Sequence, residues 1–412
     1  MAFGLFSPSS AEARIYIQID QASEKKFPIA VVDPVSGEGE TKEGRKLADI
    51  LRGDLKLAGI FDLIPADQYP NGSGARATDP SQIQFSPWTL IGAQALVNGT
   101  CVREKDGVKV ALHLYDPFLG QHLLGRNYTV KSSDLSDAAH HFADEIMREL
   151  TGEPGVFSTQ IAFVQAGKKV KEIAVMDMDG GNAHNVTKDR TIDISPAWSS
   201  DGRIAYTTFS KNENMEVALV GGKRLTMNGA VNLSPAWTPS GQLSVASDSN
   251  NSGDTDIYLM NAGGDFVKKI AGGYGIDLNQ SFSPDGSSFV FASERAGKLH
   301  LFKSDLGGGS VERLTFVGSQ NDNPVWSPKG DKIAFQSLSG GWDIFVMNTD
   351  GSMIQRLTSL GNCESPTWAP NGRFLATSCG GRINIMREDG SNLTPVGPGG
   401  AYQPSWGPWG KK

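Results

Sequence analysis

From residue 158 onward, short apolar runs alternate with polar breaks closed by glycine, and the order of runs recurs six times. Each recurrence opens with an aromatic residue two positions after Pro, or after Gln in one copy, followed in five of the six by a glycine-closed turn. The copies are Pro196-Ala-Trp198 to Gly202, Pro235-Ala-Trp237 to Gly241, Gln280-Ser-Phe282 to Gly286, Pro324-Val-Trp326 to Gly330, Pro366-Thr-Trp368 to Gly372, and a terminal Pro404-Ser-Trp406. The aromatics lie 39, 45, 44, 42 and 38 residues apart. Within each period an apolar run such as Lys332-Ile-Ala-Phe335 leads to an alternating run such as Ile344-Phe-Val-Met347. A turn such as Asp350-Gly351 follows, then Arg-Leu-Thr at 224–226, 313–315 and 356–358 or the variant Asn392-Leu-Thr394. Strand-length runs separated by glycine-bearing pairs predict antiparallel strands and tight turns. Four strands per period of roughly 40–45 residues predict a β-propeller of six blades.

Residues 158–187 carry three strand-like runs before the first Pro-x-Trp, and the last Pro-x-Trp stands alone at residue 406. The C-terminal strand is therefore expected to complete the first blade and cover two sheet edges. One aromatic per blade at a fixed position reads as packing between blades, in preference to an aromatic cage. With Pro-x-Trp innermost, the longer polar loops fall on one face: 211–214, 249–255, 275–279, 294–297, 318–323, 339–342 and 361–364. Binding residues concentrate on loops held by a rigid scaffold, so this face is the candidate site.

Residues 14–150 lack the repeat. Arg14–Ile19 alternates like a strand, Pro28–Val32 reads as a buried one, and further strands are expected around 61–64, 95–97, 108–115 and 123–130. Leu47, Ile50, Leu51, Leu55 and Ala58 follow helical spacing, stopped by Gly59. A second helix presents Leu135, Ala138, Ala139, Phe142, Ile146 and Leu150, with Ser133 or Asp134 as its cap. The organisation predicted is an export-signal remnant over 1–13, an α/β N-terminal domain over 14–150, and an all-β six-bladed β-propeller over 156–412 closed by the C-terminal strand.

Composition changes this picture little. A net charge of −7 gives no reason to expect nucleic acid or an anionic membrane as partner. No stretch approaches ~20 consecutive apolar residues, so no direct membrane insertion is expected. Met1–Phe6 is apolar and Ala11-Glu-Ala13 fits a signal-peptidase site, the alternative being an ordinary irregular start. Cys363 and Cys379 flank a hairpin centred on the Asn371-Gly372 turn, which permits a disulfide, with two unoxidised thiols as the alternative. Cys101 has no partner.

Signatures of catalysis are scarce. There is no Gly-x-Ser-x-Gly, His-Glu-x-x-His, phosphate-binding Gly-x-x-x-x-Gly-Lys or Cys-x-x-Cys. His140 and His141 point about 100° apart on a helix and are read as surface residues. Asp248-Ser-Asn250-Asn-Ser-Gly253 copies part of a calcium loop, and Asp254 and Asp256 add carboxylates, but Leu259 stands where the closing Glu belongs. The alternative is a solvated turn. No cofactor is expected beyond an adventitious cation such as calcium in the channel.

An α/β domain leading into blades built from Pro-Ala-Trp-Ser/Thr-Pro-x-Gly, Ile-Tyr/Phe-x-Met-Asn and Arg-Leu-Thr resembles the TolB family of the periplasmic Tol-Pal envelope system. Arg14-Ile-Tyr-Ile17, Pro28–Val32, Leu47-Ala-Asp-Ile-Leu51, Glu149-Leu-Thr-Gly152 and Gly318-Ser-Gln-Asn321 extend the likeness over most of the chain. The resemblance implies a non-enzymatic periplasmic scaffold that supports outer-membrane integrity and constriction during cell division, and with no long exposed heptad or apolar stripe in the sequence a monomer is expected. It implies that the lipoprotein Pal binds at Ser293, Glu294, Arg295, Gly318, Ser319, Gln320 and Asn321. It further implies that TolA binds the segment Arg14, Ile15, Tyr16, Ile17, Gln18, Ile19 and Asp20, although Gln18–Lys26 departs from the family pattern. The competing reading is a propeller hydrolase, or a propeller that accompanies a peptidase, with Asp254, Asp256, Asp277 and Asp322 as channel carboxylates.

Overall fold

The computed structural model describes residues 26–410 apart from 38, 72–76, 210–213, 223, 226–228, 250–252, 262 and 308. The expected strand at 14–19 lies outside the described residues. The chain forms two compact units that divide in sequence between Gly155 and Val156, except that Leu57–Gly59 groups with the second.

The first unit is a mixed sheet with helices. Strand β1 (Phe27–Val31) is followed by β2 (Val35–Ser36), β3 (Gly39–Glu40), α1 (Lys42–Ala58), β4 (Phe61–Leu63), α2 (Ser86–Leu90), β5 (Ala95–Glu104), β6 (Gly107–Asp116), β7 (Gln121–Val130) and α3 (Leu135–Thr151). β1 and β2 run parallel to β5 along one edge, and β6 and β7 continue antiparallel from the other. β1 is almost wholly buried, as the unbroken apolar run around it requires. Helix α1 buries Leu47, Leu51, Leu55 and Ala58, while α3 buries all six of its expected apolar positions. Gly152 ends α3 in the left-handed region at φ 78°, its N–H donating to Arg148 O. Neither expected cap operates. Asp134 occupies the N-cap position without a side-chain cap bond, because its carboxylate takes the Ser133 hydroxyl.

His140 corrects the expectation of a surface residue. It is buried, and its Nδ1 lies 2.8 Å from Asp54 Oδ2 on α1. Ser136, Ala143 and Met147 share its side of α3 and are buried too, so the covered face is wider than the apolar stripe alone. His141 stays exposed.

The second unit is the propeller. The innermost strands are Asp193–Trp198, Asn232–Trp237, Asp277–Phe282, Gln320–Trp326, Cys363–Trp368 and Ala401–Trp406. Five blades have four antiparallel strands. The blade opening at Asp193 has three strands and a single bridge between Ala218 and Arg224, and part of its outer segment lies outside the described residues. Ring closure is as expected: Ala401–Trp406 pairs with the strand Gln160–Ala166, Ala401 opposite Gln165 and Trp406 opposite Ile161.

The repeated motif now has a physical account. Trp237 Nε1 donates to Ala197 O at 3.0 Å and Trp368 Nε1 to Val325 O at 3.1 Å, each reaching the innermost strand of the preceding blade. Trp326 packs among Val290, Ala292 and Leu301 of the preceding blade, so the aromatics form inter-blade core. In Arg-Leu-Thr, Leu225 and Leu314 are buried and Leu357 is half-buried, and the hydroxyls of Thr315 and Thr358 accept from the third strand. Thr315 takes Leu301 N and Thr358 takes Ile344 N, both at 2.9 Å, as Thr187 takes Ile173 N. These bonds satisfy buried N–H groups that the short outer strand leaves unpaired.

Candidate functional site: the propeller mouth

Six residues, one from each innermost strand, line the central channel at one level: Ser195, Ser234, Asn279, Asn323, Ser365 and Gln403. All six have positive φ, between 47° and 54°. Each sits where the pairing between first and second strand slips register, for example between Ile194 and Ala197 or between Glu364 and Thr367. Non-glycine residues in this region are strained by about 1–3 kcal/mol, and such strain collects at functional sites. Proline follows five of the six, and Ser and Asn before Pro are the sequence signal that would have located the ring.

The channel they enclose has a volume of about 300 Å³. Its wall is polar and internally bonded. Ser234 Oγ lies 2.5 Å from Asn279 Oδ1, and Asn279 Nδ2 donates to Asp322 Oδ1 at 2.8 Å. Ser195 N donates to Gln403 Oε1 and Ser365 N to Gln336 Oε1. Burial pushes the Asp322 carboxyl up from its usual value, while Asn279 and the Asn323 N–H pull the other way.

The connections between blades enter the innermost strands from the same end as the hairpins between second and third strands. On these connections and strand starts lie Ile192, Tyr274, Phe316, Val317, Leu360 and Tyr402, all exposed; Tyr274 is 83% and Phe316 72% accessible. Arg313 stacks over the Phe316 ring at 4.9 Å. Sequence reading marked these loops as polar and missed the apolar residues. They stand singly, or as the pair Phe316-Val317, in short connections where no periodicity reports them.

Of the residues assigned to a Pal surface, Gly318 and Ser319 are exposed, and Glu294, Arg295 and Gln320 are half-buried. Ser293 and Asn321 are buried in the unbound chain. Asn321 Nδ2 instead donates to Val317 O, and Ser293 Oγ accepts from Arg295 Nε. Both hold the loops in place. Arg295 also pairs with Asp277 at 2.8 Å and lies over Phe291 and Phe302. The segment Arg14–Asp20 lies outside the described residues.

The proposed calcium loop is partly committed elsewhere. Asp248 Oδ1 accepts from Val231 N, and Asp256 pairs with Lys269 at 3.2 Å; Asn250 lies outside the described residues. Asp254 is half-buried. Asp256, Asp277 and Asp322 each have a polar partner, Lys269, Arg295 and Asn279 in turn, and Asp256 is near enough to Asp277 to help raise its carboxyl pKa. Cys363 and Cys379 face each other in register and form a disulfide, with an S–S distance of 2.10 Å. Cys101 is buried and free, its thiol pKa raised by burial.

Comparison with known proteins follows the division into two units. Residues 15–123 match the model of the TolB amino-terminal domain and residues 147–410 that of the TolB beta propeller domain. The chain belongs to the TolB family. The Tol-Pal system protein TolB of Bordetella pertussis is 32% identical over 411 residues, spanning 87% of this chain and 92% of that protein. The TolB homolog of Chlorobium luteolum is 32% identical over 344 residues, spanning 82% and 78% of the two chains. The crystal structure of TolB from Acinetobacter baumannii superposes with a TM-score of 0.75 at 30% identity, covering 96% of this chain and all of that one. The α/β unit followed by six blades is therefore the TolB arrangement.

Proposed function

We propose that this TolB-family chain is the periplasmic scaffold of a Tol-Pal system and performs no catalysis. Its propeller mouth binds the lipoprotein Pal, and the segment Arg14–Asp20 binds TolA as an added strand. Through these two contacts it supports outer-membrane integrity and constriction during division. The observation that carries the reading is the set of exposed apolar side chains around a polar channel. Tyr274, Phe316, Val317, Leu360 and Tyr402 have no intramolecular reason to face solvent, and aromatic and apolar anchors within a polar surface are what protein partners bury. The name of the Bordetella pertussis relative, which places that protein in the Tol-Pal system, supports the choice of partner. No observation favours the hydrolase reading.

The test is calorimetric titration of the full chain with the soluble domain of Pal from the same organism. Phe316→Ser together with Leu360→Ser is expected to weaken binding at least about tenfold, the scale of truncating one or two anchors. Circular dichroism and melting of the variant should be unchanged, because both side chains are exposed. Parental affinity in that variant would move the docking surface elsewhere. No binding by the parent would remove Pal as the partner.

A further inference from the structure

Two blades carry a carboxylate at the head of the third strand, and each is answered by a cation thirteen residues on. Asp256 meets Lys269 at 3.2 Å, and Asp343 meets Arg356 at 2.5 Å. In the first blade the corresponding carboxylate is Glu172, but position 185 is Asn. Glu172 is buried and among the described residues accepts only from the Thr187 hydroxyl at 2.7 Å and the Arg190 N–H at 3.2 Å.

The connection that follows brings two more carboxylates to the same place. Asp189 is exposed, and Asp193, at the head of the second blade's innermost strand, is fully buried. One carboxylate oxygen from each of Glu172, Asp189 and Asp193 lies within 4.8 Å of the other two. Asp193 Oδ1 accepts from Thr191 at 3.2 Å and Thr208 at 2.7 Å, whereas Oδ2 has no hydrogen-bond partner among the described residues. The Thr187 hydroxyl is also near Asp193, but its single proton goes to Glu172. At the matching position of the fourth blade, Asp277 has Arg295. Among the described residues the one ion pair made by the three carboxylates is Arg224 with Asp189, at 3.4 Å, and Arg224 is shared with Glu216.

A buried carboxylate with an unpartnered oxygen beside two further carboxylates is costly unless a positive charge compensates. We propose that Glu172, Asp189 and Asp193 bind a divalent cation of the calcium class, which straps the first blade to the second. The donors are all hard oxygens, which selects Ca²⁺ or Mg²⁺ over metals that take nitrogen or sulfur. They come from a strand, a connection and a second strand, an irregular set that suits the flexible coordination of Ca²⁺ better than the octahedron Mg²⁺ demands. The site lies apart from the channel and from the 248–256 loop, and it does not depend on the partner assignment.

Metal-stripped full chain would be titrated with CaCl₂ by calorimetry and melted with and without the ion. We expect binding with a dissociation constant of about 10⁻⁵–10⁻³ M, within the range of calcium sites in proteins, and a melting temperature raised by Ca²⁺. Asp189→Asn, on an exposed side chain that leaves the fold intact, should weaken binding about tenfold or more. Asp193→Asn should do the same, and Asp254→Asn should not. The proposal is overturned by absence of binding up to about 10 mM Ca²⁺, or by Ca²⁺ binding that Asp189→Asn leaves unchanged. Tighter binding of Mg²⁺ than of Ca²⁺ would overturn the calcium assignment. If Asp193→Asn fails to fold, Asp189→Asn alone decides.

Discussion

His113 on β6 and His122 on β7 bring their ring nitrogens Nδ1 and Nε2 to 3.0 Å. Burial, and then the neighbouring His122, hold the His113 pKa below the ordinary value. The folded chain therefore keeps His113 neutral at pH values where the unfolded chain binds a proton, near pH 6.5. Stability rises with pH wherever the unfolded state holds more protons, so this contribution is present above about 6.5 and is lost as the pH falls toward the folded value. Melting of the protein between pH 7.5 and 5.5 should show a loss of stability that His113→Gln reduces; equal slopes for the two proteins would refute the assignment. Single residues of this kind are the least legible part of the sequence. The burial of His140 could have been inferred from Ser136, Ala143 and Met147 on its flank. The pairing with Asp54 joins positions 86 residues apart, and no local pattern encodes it. The channel ring was legible in principle, since Ser or Asn precedes Pro in four of its six copies.

At the scale of strands, one position of the repeat does the same work by different chemistry. Where the first strand pairs with the second, Asp193 stands opposite Thr208, Asn232 opposite Ser247, Asp277 opposite Ser293 and Asn321 opposite Ser337. In the next blade the same pair is Cys363 and Cys379. The disulfide thus replaces a polar cross-strand pair with a covalent one, and the hairpin symmetry that made it plausible is what the register delivers. Closing a loop with a sequence separation of 16 constrains the unfolded chain by about 3 kcal/mol. Urea unfolding of the Cys363→Ala/Cys379→Ala protein should show a loss of about 2–4 kcal/mol. The pair Cys363→Asp/Cys379→Thr, which copies the bonded Asp193 and Thr208, should recover part of it. Unchanged stability on reduction would mean that the blade is held by its neighbours and not by the cross-link. Strand positions were legible because alternation and glycine turns report them directly. The register slips were not, because a slip alters pairing without altering the pattern of apolar residues.

For the propeller as a whole, the decisive contact is the one between its two ends. Ala401–Trp406 supplies the innermost strand of the first blade, and Trp406 Nε1 donates to Thr159 Oγ1 at 2.7 Å in a buried bond. Trp406 N also reaches the neighbouring blade, donating to Thr367 Oγ1 at 3.1 Å, while Ser405 Oγ accepts from Trp198 N on the other side. This strand therefore touches both of its neighbours as well as its own blade. Without it the first blade exposes the edge of Gln160–Ala166, and the blades on either side each lose a packed face. A protein ending at Gly400 should lose hydrogen-exchange protection throughout 156–400, with a broadened melting transition and a tendency to aggregate. Tyr402→Ala, which trims an exposed ring from the same strand, should change stability by less than about 1 kcal/mol. Loss of protection confined to 160–185 in the truncated protein would show that the blades fold as independent units. The packing argues otherwise, because the aromatic of one blade sits in the core of the one before it, and a ring built this way is as continuous as its closure.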